Sequence, residues 1–478
     1  MTLRPAPVPI SPRHPAKSAV FPSKCLFLGG QFDPKLVGFP TQSAVRGVGP
    51  HKMRILSGRI DMKLNLKLVS MAAAASFALA GQAMAAPSCG ANTGEAATGE
   101  PIIVGGIYGK APPGDFSAST DAAKAYFDCV NENGGINGRP IDYRVENDQW
   151  NPEMAAQAAS KLVKDAGAVA LVANGSFIEM AVNAKTYKEE NIMSMAAACA
   201  ISECFESSNI VSTNQGPLPS NLGAAQFAQE ELGSKNVACI GFNIPNNGPW
   251  SCQVVIDFMQ SRGGDGSMQL LNPGAPDVNS ALLEAISTGA DTILMNLPAG
   301  LAIAVLKAAE EQDLRDSYVW IAPTPLYDLS VPAALGEYWN GKVYVNTELA
   351  PFQLGGPDAK NWIEVMDAYA RPEDPRDTFA QSGYLSATYF VKTLLMMDPK
   401  DVGDRAKVTE AIKNISGYTS DLMCGPYYVG DTDFHMPNHA GYMVQIVDGG
   451  FKIVRDCYEF DSAYFEPHIA VEKSLGLR

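Results

Sequence analysis

Cysteine and histidine are the residues here whose type and spacing could do chemistry. Eight of the nine cysteines lie beyond residue 85: Cys89, Cys129, Cys199, Cys204, Cys239, Cys252, Cys424 and Cys457. No C-x-x-C spacing occurs, so a tight thiolate metal site is not indicated, and an even count in an exported chain favours disulfides. The expected pairs are Cys89–Cys129, Cys199–Cys204, Cys239–Cys252 and Cys424–Cys457, one bet among the 105 connectivities that eight cysteines allow. His435 and His439 have the i, i+4 spacing of a helical zinc pair. Pro437 between them breaks the helix such a pair needs, so both are expected as exposed loop histidines and no metal site is assigned.

Catalytic signatures are absent. There is no G-x-S-x-G, H-E-x-x-H, G-x-x-x-x-G-K-[ST] or G-x-G-x-x-G at a strand–helix turn, which favours a binder over an enzyme and calls for no cofactor. With 51 Asp+Glu against 36 Lys+Arg, the net charge of −15 opposes nucleic acid, whose affinity rests on neutralising phosphates.

The elements that must position any site alternate in type. Strands are expected at Ile102–Ile107, Ile141–Asn147, Val169–Ala173, Ile192–Met195 and Ile210–Ser212, then at Val237–Phe242, Met268–Leu271, Thr292–Leu297 and Tyr318–Ala322. Helical patterns lie between them, the first from about Ser119 to Asn133. Asn151-Pro152-Glu153 opens another, with Asn as cap and Pro in the first turn. This is an α/β reading with parallel sheets. The polar stretch Ser202–Pro219 and Val343–Thr347 are expected to cross between two lobes. Helices follow around Trp362–Tyr369 and from Thr378 to Met396, then short strands at Tyr427–Val429, Tyr442–Val447 and Phe451–Val454. Ligands of open α/β sheets sit beyond strand C-termini. The loops there are Tyr108–Ser119, Asn174–Phe177, Ala196–Cys199, Asn243–Trp250, Asn296–Gly300 and Thr324–Asp328.

Met62–Ala85 reads as a cleavable export signal: Lys63 and Lys67, an apolar run from Ala72 to Ala80, then Ala83-Met84-Ala85. The apolar core is too short for a bilayer, which needs ~20 residues. The exported chain is expected to begin near Ala86 and to work in the periplasm. Residues 1–61 are expected to be a disordered upstream extension that is not part of the product.

The run Val130-Asn131-Glu132-Asn133-Gly134-Gly135-Ile136-Asn137-Gly138-Arg139-Pro140-Ile141 is the most specific signal. It stops a helix at Gly134-Gly135 and turns a corner at Asn137-Gly138. Together with Gly425-Pro426 and Met443–Phe451, it resembles the Leu/Ile/Val-binding family of type I periplasmic binding proteins of ABC transporters. The resemblance spans about 100–460. It implies two Rossmann-like lobes, 86–213 plus 347–425 and 214–346 plus 426–478, joined by three hinge strands. The lobes would trap a small solute and deliver it to a permease, with no nucleic acid involved and the chain working as a monomer. A ligand sensor for a signalling partner is the alternative reading.

Where amino-acid-binding relatives hold the α-carboxylate with a Thr hydroxyl, this chain has Ala198. Where they hold the ammonium with a Glu, it has Thr324, with Asp328 as the remaining acid in that loop. The expected solute therefore lacks a zwitterionic head and is a small organic acid or amide; a branched-chain amino acid is the family default. Its carboxylate or carbonyl would rest on Ser176 and the N–H groups of Asn174, Gly175, Ala197 and Ala198. Tyr108, Phe177, Trp250, Tyr327 and Phe379 would wall the cleft, and Asn246 and Asn296 would add polar contacts.

Overall fold

The computed structural model describes residues 87–478 apart from 112, 113, 431, 437 and 438. The export signal and the residues before it lie outside that range, as does Pro437.

The alternating pattern folds into two α/β lobes. The first sheet is parallel, built from β1 (Ile102–Tyr108), β2 (Ile141–Asn147), β3 (Leu171–Val172), β4 (Ser194–Ala196) and β5 (Ile210–Ser212), in the order β2-β1-β3-β4-β5. The second contains β6 (Asn236–Phe242), β7 (Asp265–Leu271), β8 (Thr292–Asn296), β9 (Val319–Ala322), β10 (Val343–Thr347), β11 (Ala440–Val447) and β12 (Gly450–Glu459). Its order is β12-β11-β10-β9-β8-β6-β7, with neighbours parallel except at the antiparallel pairs β10–β11 and β11–β12.

Local chemistry sets the element ends. Asn151 Oδ1 accepts the N–H groups of Glu153 and Met154 at 2.9 and 3.0 Å, capping α2 (Pro152–Ser160). After α1 (Ser117–Glu132), Gly134, Gly135, Asn137 and Gly138 all take positive φ, so the chain turns back within a few residues. Asn131 fixes the turn by accepting from Ile141 N at 2.7 Å and donating to Ile141 O at 2.9 Å.

Each lobe has its own core. Trp362, Phe127 and Phe390 lie within the first and Trp320, Trp339 and Val305 within the second. α4 (Pro217–Leu232) packs into a further cluster of the second lobe with Phe258 and Phe465. Tyr427 and Val429 belong to the first-lobe core, beyond the expected lobe boundary at 425. Tyr427–Val429 is also not a strand; only a single bridge joins Tyr427 to Tyr418.

The expected exposed histidines are buried. His435 Nδ1 lies 2.7 Å from Ile210 O, and His439 Nδ1 lies 3.3 Å from Glu472 Oε1. No metal-holding cluster occurs among the described residues.

Three expected disulfides form: Cys89–Cys129, Cys239–Cys252 and Cys424–Cys457. The fourth does not. Cys199 and Cys204 are buried free thiols, and both sulfurs lie against Met180 Sδ, at 3.4 and 2.9 Å. Alkylating the denatured, non-reduced protein should label these two alone among the eight. Label on any of the other six, or none on this pair, would contradict the assignment.

Candidate functional site

Three segments cross between the lobes: 213–216, 347–350 and the stretch entering β11. Glu348 staples the first two, its Oε2 accepting from Gly216 N at 3.0 Å and from Gln215 N. Thr213 Oγ1 donates to Ser382 O at 3.0 Å, tying the first crossing to α10 (Thr378–Met396).

Above this hinge lies a cavity of about 230 Å³, lined from both sides. The first lobe contributes Asp115, Phe116, Phe177, Ala198–Ala200 and Asp377–Phe379. The second contributes Phe242, Ile244, Asn247, Asn296–Ala299, Pro325, Tyr327 and Asp328, and the hinge gives Asn214, Gly216, Pro217 and Glu348. The lobes touch at the rim. Asn246 O accepts from Ser202 N at 3.0 Å, Asn246 Nδ2 donates to Glu203 Oε2 at 2.7 Å, and Asn247 Nδ2 donates to Ala200 O at 2.6 Å.

Five expected site residues line this cavity: Phe177, Ala198, Asn296, Tyr327 and Phe379. Phe116 and Phe379 meet at 4.9 Å, and Phe177 stacks on Trp150 at 4.7 Å, making an aromatic wall on the first lobe. The other expected residues have different work. Tyr108 ends β1, half-buried beside Gly175. Trp250 stacks on Phe205 at 6.1 Å, and Thr324 Oγ1 is spent on Asn346 O and Glu348 N. Asn246 is a latch rather than a wall.

Three N–H groups of the expected cradle are already spent. Ala197 N and Ala198 N both donate to Asn174 O, at 2.9 and 3.2 Å, and Gly175 N donates to Ile107 O at 2.8 Å. Asn174 Oδ1 accepts from Ile107 N, and its Nδ2 donates to Ser194 Oγ. Ser176 caps α3 (Phe177–Glu189), accepting from Glu179 N at 3.2 Å while its hydroxyl donates to Asp148. Backbone groups that look free in a loop were consumed in joining that loop to its neighbours.

Sequence reading missed Glu348, Asp377 and Asn214. Burial holds Glu348 up at about 7. Burial, with Asp328 adding negative charge, holds Asp377 at about 6. Beneath the loop, burial pushes Glu179 up to about 8; Tyr187 donates to its Oε1, and its Oε2 has no partner. Folded Glu179 thus keeps a proton that the unfolded chain loses above its ordinary value near 4.5. Its contribution to stability is complete at low pH and is lost as pH rises through about 8, each unit being worth about 1.4 kcal/mol. Glu179→Gln should melt at nearly the wild-type temperature at pH 5 and several degrees higher at pH 8.5. Parallel curves across that range would show that Glu179 titrates normally.

Two lobes, three crossings and a cavity between them define a hinged solute-binding fold. The chain belongs to the periplasmic binding protein family, whose pattern matches residues 101–450. Its fold is shared by a substrate-binding protein of an Aeropyrum pernix ABC transporter, with 14% identity and TM-score 0.67 over 76% of this chain and 97% of that one. A Rhodopseudomonas palustris solute-binding protein in complex with 4-hydroxybenzoate is 17% identical, with TM-score 0.65 over 77% and 99%. A leucine-binding protein from Thermotoga maritima is 15% identical, with TM-score 0.62 over 75% and 99%. No curated protein matches the sequence.

Proposed function

We propose that the exported chain captures a small organic solute between its lobes and delivers it to an ABC-type permease, without transforming it. The observation that carries this reading is the cavity lined from both lobes above three crossings. A ligand that touches both walls stabilises the closed form, and closure needs no chemistry. The substrate-binding relatives support the transport role.

The solute lacks a zwitterionic head. Ala198 offers no hydroxyl for a carboxylate, and Thr324 is turned into the hinge. Against an organic acid, three N–H groups of its expected cradle are spent, and none of the described lining residues is Lys, Arg or His. The aromatic wall calls for an apolar body.

A thermal-shift screen of small organic molecules tests the receptor reading. A solute at 100 times its Kd adds about 2.7 kcal/mol to the native state. A rise of several degrees is expected for at least one class, and a flat response to every class would count against capture.

A further inference from the structure

The cleft is rich in hydrogen-bond acceptors and poor in donors. Four carboxylates line it: Asp115, Asp328, Glu348 and Asp377. Asp115 is paired with Lys110 at 2.7 Å, and the other three make no ion pair among the described residues. Glu348 is 3% exposed, and both its backbone bonds fall on Oε2. Its polar neighbours Asn214 and Thr324 also bond other groups, Asn214 with Cys199 and Ser212, Thr324 with Asn346 and Ser220. The carboxyl of this buried side chain lines the cavity.

Asp377 uses Oδ1 to cap α10, accepting from Ala380 N at 2.8 Å. Asp328 uses Oδ1 to accept from Ser330 N and Oγ, both at 2.7 Å. The two residues come from opposite lobes and interact as like charges. Bringing the lobes together with nothing between these carboxylates is unfavourable, and a positive charge between them reverses the sign. Asn296 donates through Nδ2 to Ser251 Oγ at 2.8 Å, which leaves its carbonyl oxygen as one more acceptor. Two donors nearby are spent, Tyr327 OH on Gln353 and Asn247 Nδ2 on Ala200, while Thr378 brings a hydroxyl to the lining.

Three helix N-termini at the cleft are answered by the protein itself, while the helices that begin beside the cavity residues Asn247 and Pro298 carry no side-chain cap. Asp115 Oδ1 takes Ser117 N in α1, Glu348 sits on the first N–H groups leading into α4, and Asp377 caps α10. Phe116, Phe177 and Phe379 offer ring faces, which attract cations as well as apolar groups.

We infer that the solute is an organic amine: a cationic nitrogen on an aromatic or branched apolar body, with no carboxylate. This rests on the cleft being the solute site. Glu348, Asp328 and Asp377 receive the cation, and the three phenylalanines receive the body.

Phenethylamine, benzylamine and isoamylamine, tested beside benzamide, benzoate and leucine by thermal shift and titration calorimetry, decide it. At least one amine should bind about tenfold or more tightly than the acid or amide. Asp377→Asn keeps the helix cap and Glu348→Gln keeps the shape; each should weaken the amine about tenfold or more. Phe379→Ala should weaken it with the acids intact. Tighter binding of benzoate, benzamide or leucine overturns the amine assignment and leaves the receptor reading standing, as does amine binding indifferent to all three variants. If no amine binds but a small-molecule extract of the native cells stabilises the protein, the assignment likewise falls alone. If neither panel nor extract has any effect, both readings fall.

Discussion

Ala198→Trp is expected to abolish solute capture while leaving the fold intact. Ala198 is 2% exposed and lines the cleft, yet it is not among the residues of either lobe's core clusters. An indole entering a cavity of about 230 Å³ fills the space a solute needs and meets Asn296–Ala299 from the facing lobe. Affinity should drop at least a hundredfold, about 2.7 kcal/mol. The melting temperature of the solute-free protein should move by only a few degrees, because the new ring occupies the cleft and not a core. Wild-type affinity in this variant would place the solute elsewhere.

Gly383→Ala is expected to be the most damaging single-methyl change in the first lobe. A Cβ at this helical position would lie 2.0 Å from Ser119 O, a backbone atom of α1 that no side-chain rotation can move. α1 and α10 would have to part, opening the core that holds Phe127, Tyr384 and Phe390. Overpacking of this kind costs about 3 kcal/mol or more, a fall of ~4 °C or more in melting temperature for a chain of this size. Gly300→Ala is the control: it faces open space near the start of α7 (Ala299–Glu311) and should be neutral or slightly stabilising. Equal melting curves for the two variants would show that the helix contact is looser than described.

The alternating pattern and the caps made the fold legible. Asn151-Pro152 begins a helix where expected, and the Gly134–Gly138 turn takes four left-handed residues that its composition allows. α4 was hidden because Pro217 and Pro219 read as loop punctuation. Both fall in its first turn, where the N–H groups lack helical partners in any case. Three disulfides followed from nearness in chain or fold. Cys199 and Cys204 looked equally close, but they remain free thiols with both sulfurs against Met180 Sδ, a contact that no spacing reveals.

The site was legible only as loops. Asp115, Phe116, Asn247 and Asp328 fall within the loops after strands, where an open α/β sheet places its ligands. Glu348 and Asp377 come from a hinge crossing and a helix cap distant in sequence, and only the folded arrangement turns them toward one cavity. The N–H cradle is depleted for the opposite reason. Its donors are real, but Asn174 O and Ile107 O reach them first.

The central claim is that the lobes close on a solute held in this cleft. It is tested most directly by the distance between spin labels on Glu153, exposed on the first lobe, and Leu283, 53% exposed on α6 (Val278–Ser287) of the second. The solute that gives the largest thermal shift should narrow the distribution to a single short distance, and Ala198→Trp should prevent this. A distribution unchanged by that solute, or equally changed in Ala198→Trp, would contradict closure on this cleft.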